Sequence, residues 1–97
     1  KSLLQYWNEK GELLKSIDIS KAEYRNLAWN PKGNRLASAS DALRIWDTKG
    51  NLISEGNSKD YLWGVSWNKK GSRIITSSIE QRIILWNIKA ERLLTVE

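Results

Sequence analysis

The sequence predicts an all-β fold in which four short antiparallel strands recur, and three observations carry that prediction. Tryptophan stands in the same setting three times, in YWNEKGELL (Tyr6 to Leu14), IWDTKGNLI (Ile45 to Ile53) and LWNIKAERLL (Leu85 to Leu94). Trp7, Trp46 and Trp86 are spaced by roughly 40 residues, the interval of a structural repeat. A second motif occurs twice at nearly the same interval, as LAWNPKGNRLASAS (Leu27 to Ser40) and VSWNKKGSRIITSS (Val65 to Ser78). Between these anchors lie β-branched and aromatic runs closed by turn residues, and no apolar periodicity is long enough for an amphipathic helix.

Local chemistry places each element. Trp7 closes a strand, Lys10-Gly11 turns the chain and Leu13-Leu14 opens another, so residues 1 to about 20 hold a pair of strands. Residues from about 21 to 58 hold four. NPKG (Asn30 to Gly33) joins the strand ending at Trp29 to RLASAS, because its glycine supplies the positive φ that a tight hairpin needs. ALRIWD follows, and Lys49-Gly50 turns the chain into a fourth strand. Residues from about 59 to 97 repeat the pattern with NKKG (Asn68 to Gly71), RIITSS, RIILWN and a last apolar strand. Ala90 occupies the place of Gly11 and Gly50, which costs roughly 1 kcal/mol if that residue takes positive φ. Arg92 reads as one extra residue, so this turn is expected to be built differently.

Composition bounds the function. The 97 residues suffice for one small domain, and an apolar fraction of 40% is ordinary for a folded chain. With Lys1 rather than a methionine first, the chain is expected to begin inside a longer one. There is no cysteine and no histidine, which removes disulfides, Ser-His and Cys-His pairs and the usual zinc ligand sets. No glycine-rich phosphate loop is present either. An enzyme is therefore not expected, and neither is a cofactor. The longest apolar run, Ile83 to Trp86, is too short to span a bilayer, and no signal peptide is visible. The net charge of +5 is dispersed, with sixteen Lys and Arg interleaved among eleven Asp and Glu. That pattern suits a solvated surface better than a dedicated polyanion site.

The stretch WNPKGNRLASASDALRIWD (Trp29 to Asp47) resembles the consensus of WD-repeat β-propellers, and WNKKGSRIITSSIEQRIILWN (Trp67 to Asn87) is a looser match. The likeness covers essentially the whole chain. It implies β-propeller blades of four-stranded antiparallel sheets: residues 1–20 as the last two strands of one blade, 21–58 as a full blade and 59–97 as another. Ten strands make two and a half blades, so the ring is expected to be completed by a longer chain, with self-association as the rival. The family's Gly-His dipeptide is missing. Asn57, beside Gly56, is the expected substitute in its hydrogen-bond network, with Ser38 and Thr76 as hydroxyls and Asp41 and Glu80 as acids. A hydroxyl is expected to satisfy the indole N–H groups of Trp46 and Trp86.

The resemblance implies a non-catalytic scaffold that binds a partner peptide or domain at one end of the propeller, in a family that is mostly intracellular. Trp7, Trp29, Trp46, Trp67 and Trp86 repeat at one register and are expected to be structural, in the core. Trp63 has no counterpart; aligned repeats put Arg25 in its place. By analogy with the family, Tyr24, Arg25, Asp41, Tyr61, Trp63, Glu80 and Gln81 gather at the partner-binding end, and Trp, Tyr and Arg are the types that dominate interface hot spots. Two alternatives remain: binding of nucleic acid or acidic lipid through Lys69, Lys70 and Arg73, or a structural module joining other domains. Lys10, Lys49 and Lys89 are expected as solvated turn residues.

Overall fold

The structure is a computed structural model and describes residues 3–18 and 26–97. Ten strands are present among these residues: β1 (Leu3–Trp7), β2 (Leu13–Asp18), β3 (Asn26–Trp29), β4 (Leu36–Ala39), β5 (Ala42–Trp46), β6 (Leu52–Asn57), β7 (Leu62–Trp67), β8 (Arg73–Ser78), β9 (Ile83–Asn87) and β10 (Arg92–Val96). They form a two-stranded sheet, β1-β2, and two four-stranded sheets, β3-β4-β5-β6 and β7-β8-β9-β10, with every pair antiparallel. The all-β fold with four-stranded blades is thus what the repeat predicts.

Burial shows how the sheets stack. Strand β4 is buried at every residue: Leu36 faces the β1–β2 sheet with Trp46, Leu4 and Tyr6, whereas Ala37 and Ala39 face the β7–β10 sheet. Strand β8 instead alternates exposed and buried, the signature of a strand covered on one face only. The larger core lies between the two four-stranded sheets, where Ala37, Ala39, Leu43 and Ile45 meet Leu62, Ile74, Ile84 and Trp86. Small side chains on one sheet accept the indole of the other.

The three turns after the repeated tryptophans share one construction. Asn8, Asp47 and Asn87 each accept, through Oδ1, the backbone N–H groups two and four residues ahead. The local side-chain acceptor fixes the turn with no partner drawn from a neighbouring sheet. Gly11, Gly50 and Ala90 then sit at φ of 81°, 82° and 61°, so Ala90 does carry the strain of a left-handed backbone. The expectation of a differently built third turn is corrected: Arg92 is no insertion but stands at the place of Leu13 and Leu52. A bulge follows in all three hairpins, passing over Leu14, Ile53 and Leu93.

The tryptophans divide. Trp46 and Trp86 are buried, and Trp67 is half-buried with its Nε1 donating to the Ala28 carbonyl at 2.9 Å. Trp7 and Trp29 differ from the core placement expected of them, at 56% and 48% exposure. Trp29 lies on edge strand β3, beside a sheet that has only two strands among the described residues, and makes a T-shaped contact with Tyr6, ring centroids 6.0 Å apart. Trp7 is on the face of the β1–β2 sheet that points away from that contact.

Candidate functional site

The end of the β7–β10 sheet where β7 begins gathers most of the residues the sequence singles out. The alternation of β7 breaks at its start. Leu62 pairs with Ser78 and Gly64 with Ser77, so Trp63 has no residue opposite it and forms a β-bulge. A bulge adds one residue to a strand and re-aims its side chain, which here lifts Trp63 to 51% exposure beside a fully buried Leu62. Gly64 completes the device, since a Cβ there would stand 3.0 Å from Ser77 Oγ.

Backbone bonds tie this start to two loops. The Ile79 N–H donates to the Tyr61 carbonyl at 3.0 Å, and the Leu62 N–H donates to the Ser40 carbonyl at 2.7 Å. Tyr61, itself 49% exposed, is thereby held next to the loop of Ile79, Glu80 and Gln81, with Asp41 on the neighbouring loop. Gln81 takes a φ of 63°, closing a tight turn in which its N–H donates to the Ser78 carbonyl. Tyr24 and Arg25 lie outside the described residues.

The polar network runs differently from the expected one. Trp46 Nε1 donates to Ser38 Oγ at 3.0 Å and Trp86 Nε1 donates to Thr76 Oγ1 at 2.9 Å, so a hydroxyl satisfies each buried indole. Asn57 does not join them; its Oδ1 accepts the Lys59 N–H at 2.8 Å within a local turn. Ser58 is buried here alongside Ser40 and Ser78, and its single hydroxyl proton is shared between the carbonyls of Asp60 and Asp41. Asp41 bonds Ser40 Oγ at 3.0 Å and Arg44 Nη1 at 2.9 Å rather than the Ser-Trp pair. The Arg44 hydrogen bond holds its carboxyl below the usual aspartate range.

Two ion-pair clusters escape sequence reasoning because each is completed by a residue from another strand or loop: Glu55 for the Arg44–Asp41 pair, and Asp60 and Glu97 for Arg82. Arg44 bridges Asp41 and Glu55 beside a cleft of about 290 Å³. Arg82 bridges Asp60 at 2.6 Å and Glu97 at 3.1 Å. Arg92 lies over the Trp86 ring, 5.6 Å from its centroid, and donates through Nη2 to the carbonyls of Asn57 and Ser58. These side chains are occupied in joining strands. No group of three or more His, Cys, Asp or Glu that could hold a metal occurs among the described residues, and no helix there is long and apolar enough to cross a membrane.

Known proteins share this architecture. The family model described as "WD domain, G-beta repeat" matches residues 11–47 and 50–87. Each matched repeat runs from the last strand of one sheet through the first three of the next, which stitches successive sheets together. The F-box-like/WD repeat-containing protein TBL1X of Mus musculus is 35% identical over 71 residues, 70% of this chain and 14% of that protein. The SIR4-interacting protein SIF2 of Saccharomyces cerevisiae is 35% identical over 65 residues, 64% of this chain and 12% of that protein. The crystal structure of the C-terminal WD40 domain of Sif2 superposes with a TM-score of 0.78 at 26% identity, covering 98% of this chain and 30% of that one. The chain therefore spans a small part of the length of these relatives. WD40 repeat proteins act generally as protein-interaction scaffolds, and the family is generally non-catalytic. With both repeats matched and their strands stacked as blades, the chain belongs to the WD40 family of β-propeller repeats.

Proposed function

We propose that the chain is a non-catalytic binding module that takes a partner peptide or domain surface at the end formed by Tyr61, Trp63, Glu80 and Gln81, with Asp41 at its margin. The observation that carries this reading is the β-bulge at Trp63. A large aromatic is placed half in solvent by a departure from strand alternation, beside a Leu62 that is fully buried in the core. Bulges serve to re-aim a side chain, and an aromatic so presented is a hot-spot anchor. Tyr24 and Arg25 belong to the same proposal through their sequence alignment with this end. Remaining blades from a longer chain would complete the ring around it.

Selection of a displayed peptide library on the chain tests this. Peptides so obtained should lose at least about tenfold in affinity for Trp63→Ala, the scale of a hot-spot truncation. The variant should unfold at the parent's urea midpoint. Unchanged binding would remove the anchor role, and a large loss of stability would make Trp63 a packing residue.

A further inference from the structure

The inner hairpins at the other end of β7 lie side by side, and they are basic. The β3–β4 turn, residues 30–35, and the β7–β8 turn, residues 68–73, carry Lys32, Arg35, Lys69, Lys70 and Arg73 with no acidic residue in either. Their close approach is visible at Gly71, where a Cβ would stand 3.3 Å from Pro31 Cδ. A cleft of about 200 Å³ between them is lined by Lys32, Arg35 and Lys70. Asn30, Arg35 and Gly71 also line a second cleft of about 260 Å³ that enters the seam between the two four-stranded sheets. Its apolar lining is Ile45, Ile53, Trp67 and Ile88, with Lys89 as a further cation.

The charges here are uncommitted, unlike those of Arg44 and Arg82. None of these five cations, nor Lys89, enters an ion pair among the described residues. Arg35 donates to the Asn34 carbonyl at 2.8 Å and Arg73 to the Ser72 carbonyl at 2.8 Å. Asp47 feels the charge of Arg35 only weakly beside its hydrogen bonds, and its oxygens are held by the Lys49 and Asn51 N–H groups and the Asn51 amide. Ile53 and Ile88 are large aliphatic residues left exposed beside this charge.

We infer that the joined clefts dock an extended acidic peptide, with carboxylates against Lys32, Arg35 and Lys70 and a following large apolar side chain in the seam on Ile53, Trp67 and Ile88. Charge complementarity selects the acid and the seam selects the apolar residue. A polynucleotide would engage the same cations through its phosphates, but has no large aliphatic side chain to fill the seam. This surface and the Trp63 end sit at opposite ends of β7, so the inference goes beyond the proposed function.

The test is a fluorescence-polarisation titration of the whole chain with three labelled probes: the peptide Asp-Glu-Asp-Leu-Leu, the same peptide with serine for both leucines, and oligothymidylate. The leucine peptide should bind at least about tenfold more tightly than the serine peptide, the worth of one buried leucine side chain. Lys70→Gln and Ile88→Ser, both at exposed positions, should each weaken it several-fold, and Trp63→Ala should leave it unchanged. Equal binding of the serine peptide or of oligothymidylate would reduce the surface to a nonspecific cation patch and overturn the inference. So would absence of binding, or insensitivity to Ile88→Ser. Loss of binding in Trp63→Ala would move the peptide to the other end and overturn it as well.

Discussion

The contact between the β1–β2 and β3–β6 sheets and the contact between the β3–β6 and β7–β10 sheets are register equivalents made with opposite distributions of bulk. In the first, Ile17 on β2 points at the turn of the next sheet, and that turn carries Gly50; a Cβ on Gly50 would stand 2.9 Å from Lys15 Cγ and 3.0 Å from Ile17 Cδ1. In the second, the place of Ile17 is taken by Gly56, and the facing turn carries Ala90. A Cβ on Gly56 would stand 2.5 Å from Trp86 Cζ3 and closer still to the Ala90 carbonyl oxygen. The second turn therefore rests on the backbone of β6, whereas the first is held off by a side chain. Trp86 is correspondingly buried more completely than Trp46. A repeat dictates which positions meet, but the volume at the meeting point can come from either sheet.

The sharpest way to break this comparison is Gly56→Ala. Its new methyl meets backbone and a buried indole, neither of which can move without opening the larger core, so the expected cost is about 3 kcal/mol. Urea unfolding of parent and variant at an unchanged slope measures it. A loss below about 1 kcal/mol would mean that the second turn does not rest on β6. The counterpart, Gly50→Ala, meets side-chain atoms, Lys15 Cγ and Ile17 Cδ1, and the exposed lysine can shift more easily than a backbone carbonyl or a buried indole. There the remaining cost is the positive φ of 82°, about 1 kcal/mol. Equal losses from the two substitutions would erase the distinction between the contacts.

Much of this architecture is legible in the sequence because the repeat is written in residues whose roles are local. The Asn or Asp after each tryptophan, and the glycine or alanine three residues further on, define a turn that needs no distant partner. Trp63 stands out as the tryptophan without a counterpart. Its bulge does not, because a bulge is a property of register against β8 and no residue type announces it. The same holds for Arg92: beside two leucines it reads as an insertion, until pairing with Trp86 shows it at the position of Leu13 and Leu52. The joining of Asp60, Arg82 and Glu97 is illegible for a related reason, since three separate strands or loops must fold before these charges meet. Exposure of Trp7 and Trp29 follows from which sheets flank them, which the motif each shares with its counterparts cannot express.

Tyr6 gives the smallest effect and the finest test of the first contact. It occupies the place of Ile45, among Leu4, Leu36 and Trp46. Its hydroxyl is buried without a hydrogen-bond partner among the described residues. Burial, and secondarily the negative charge of Asp47, pushes its pKa from 10.0 to about 12. The folded state thus favours the neutral phenol more than the unfolded chain does. This contribution is complete below the unfolded pKa of 10.0 and is lost as pH rises through about 12. Tyr6→Phe removes an unsatisfied buried hydroxyl, so at neutral pH it should gain about 0.5–1 kcal/mol. It should also remove the tyrosine's share of the alkaline decline. Lysines titrate in the same range, so the informative quantity is the difference in urea midpoint between variant and parent across that window. The difference should widen in favour of phenylalanine. A variant that is less stable at neutral pH, or that declines in parallel with the parent, would show that the hydroxyl is satisfied, and the first contact would then be as well packed as the second.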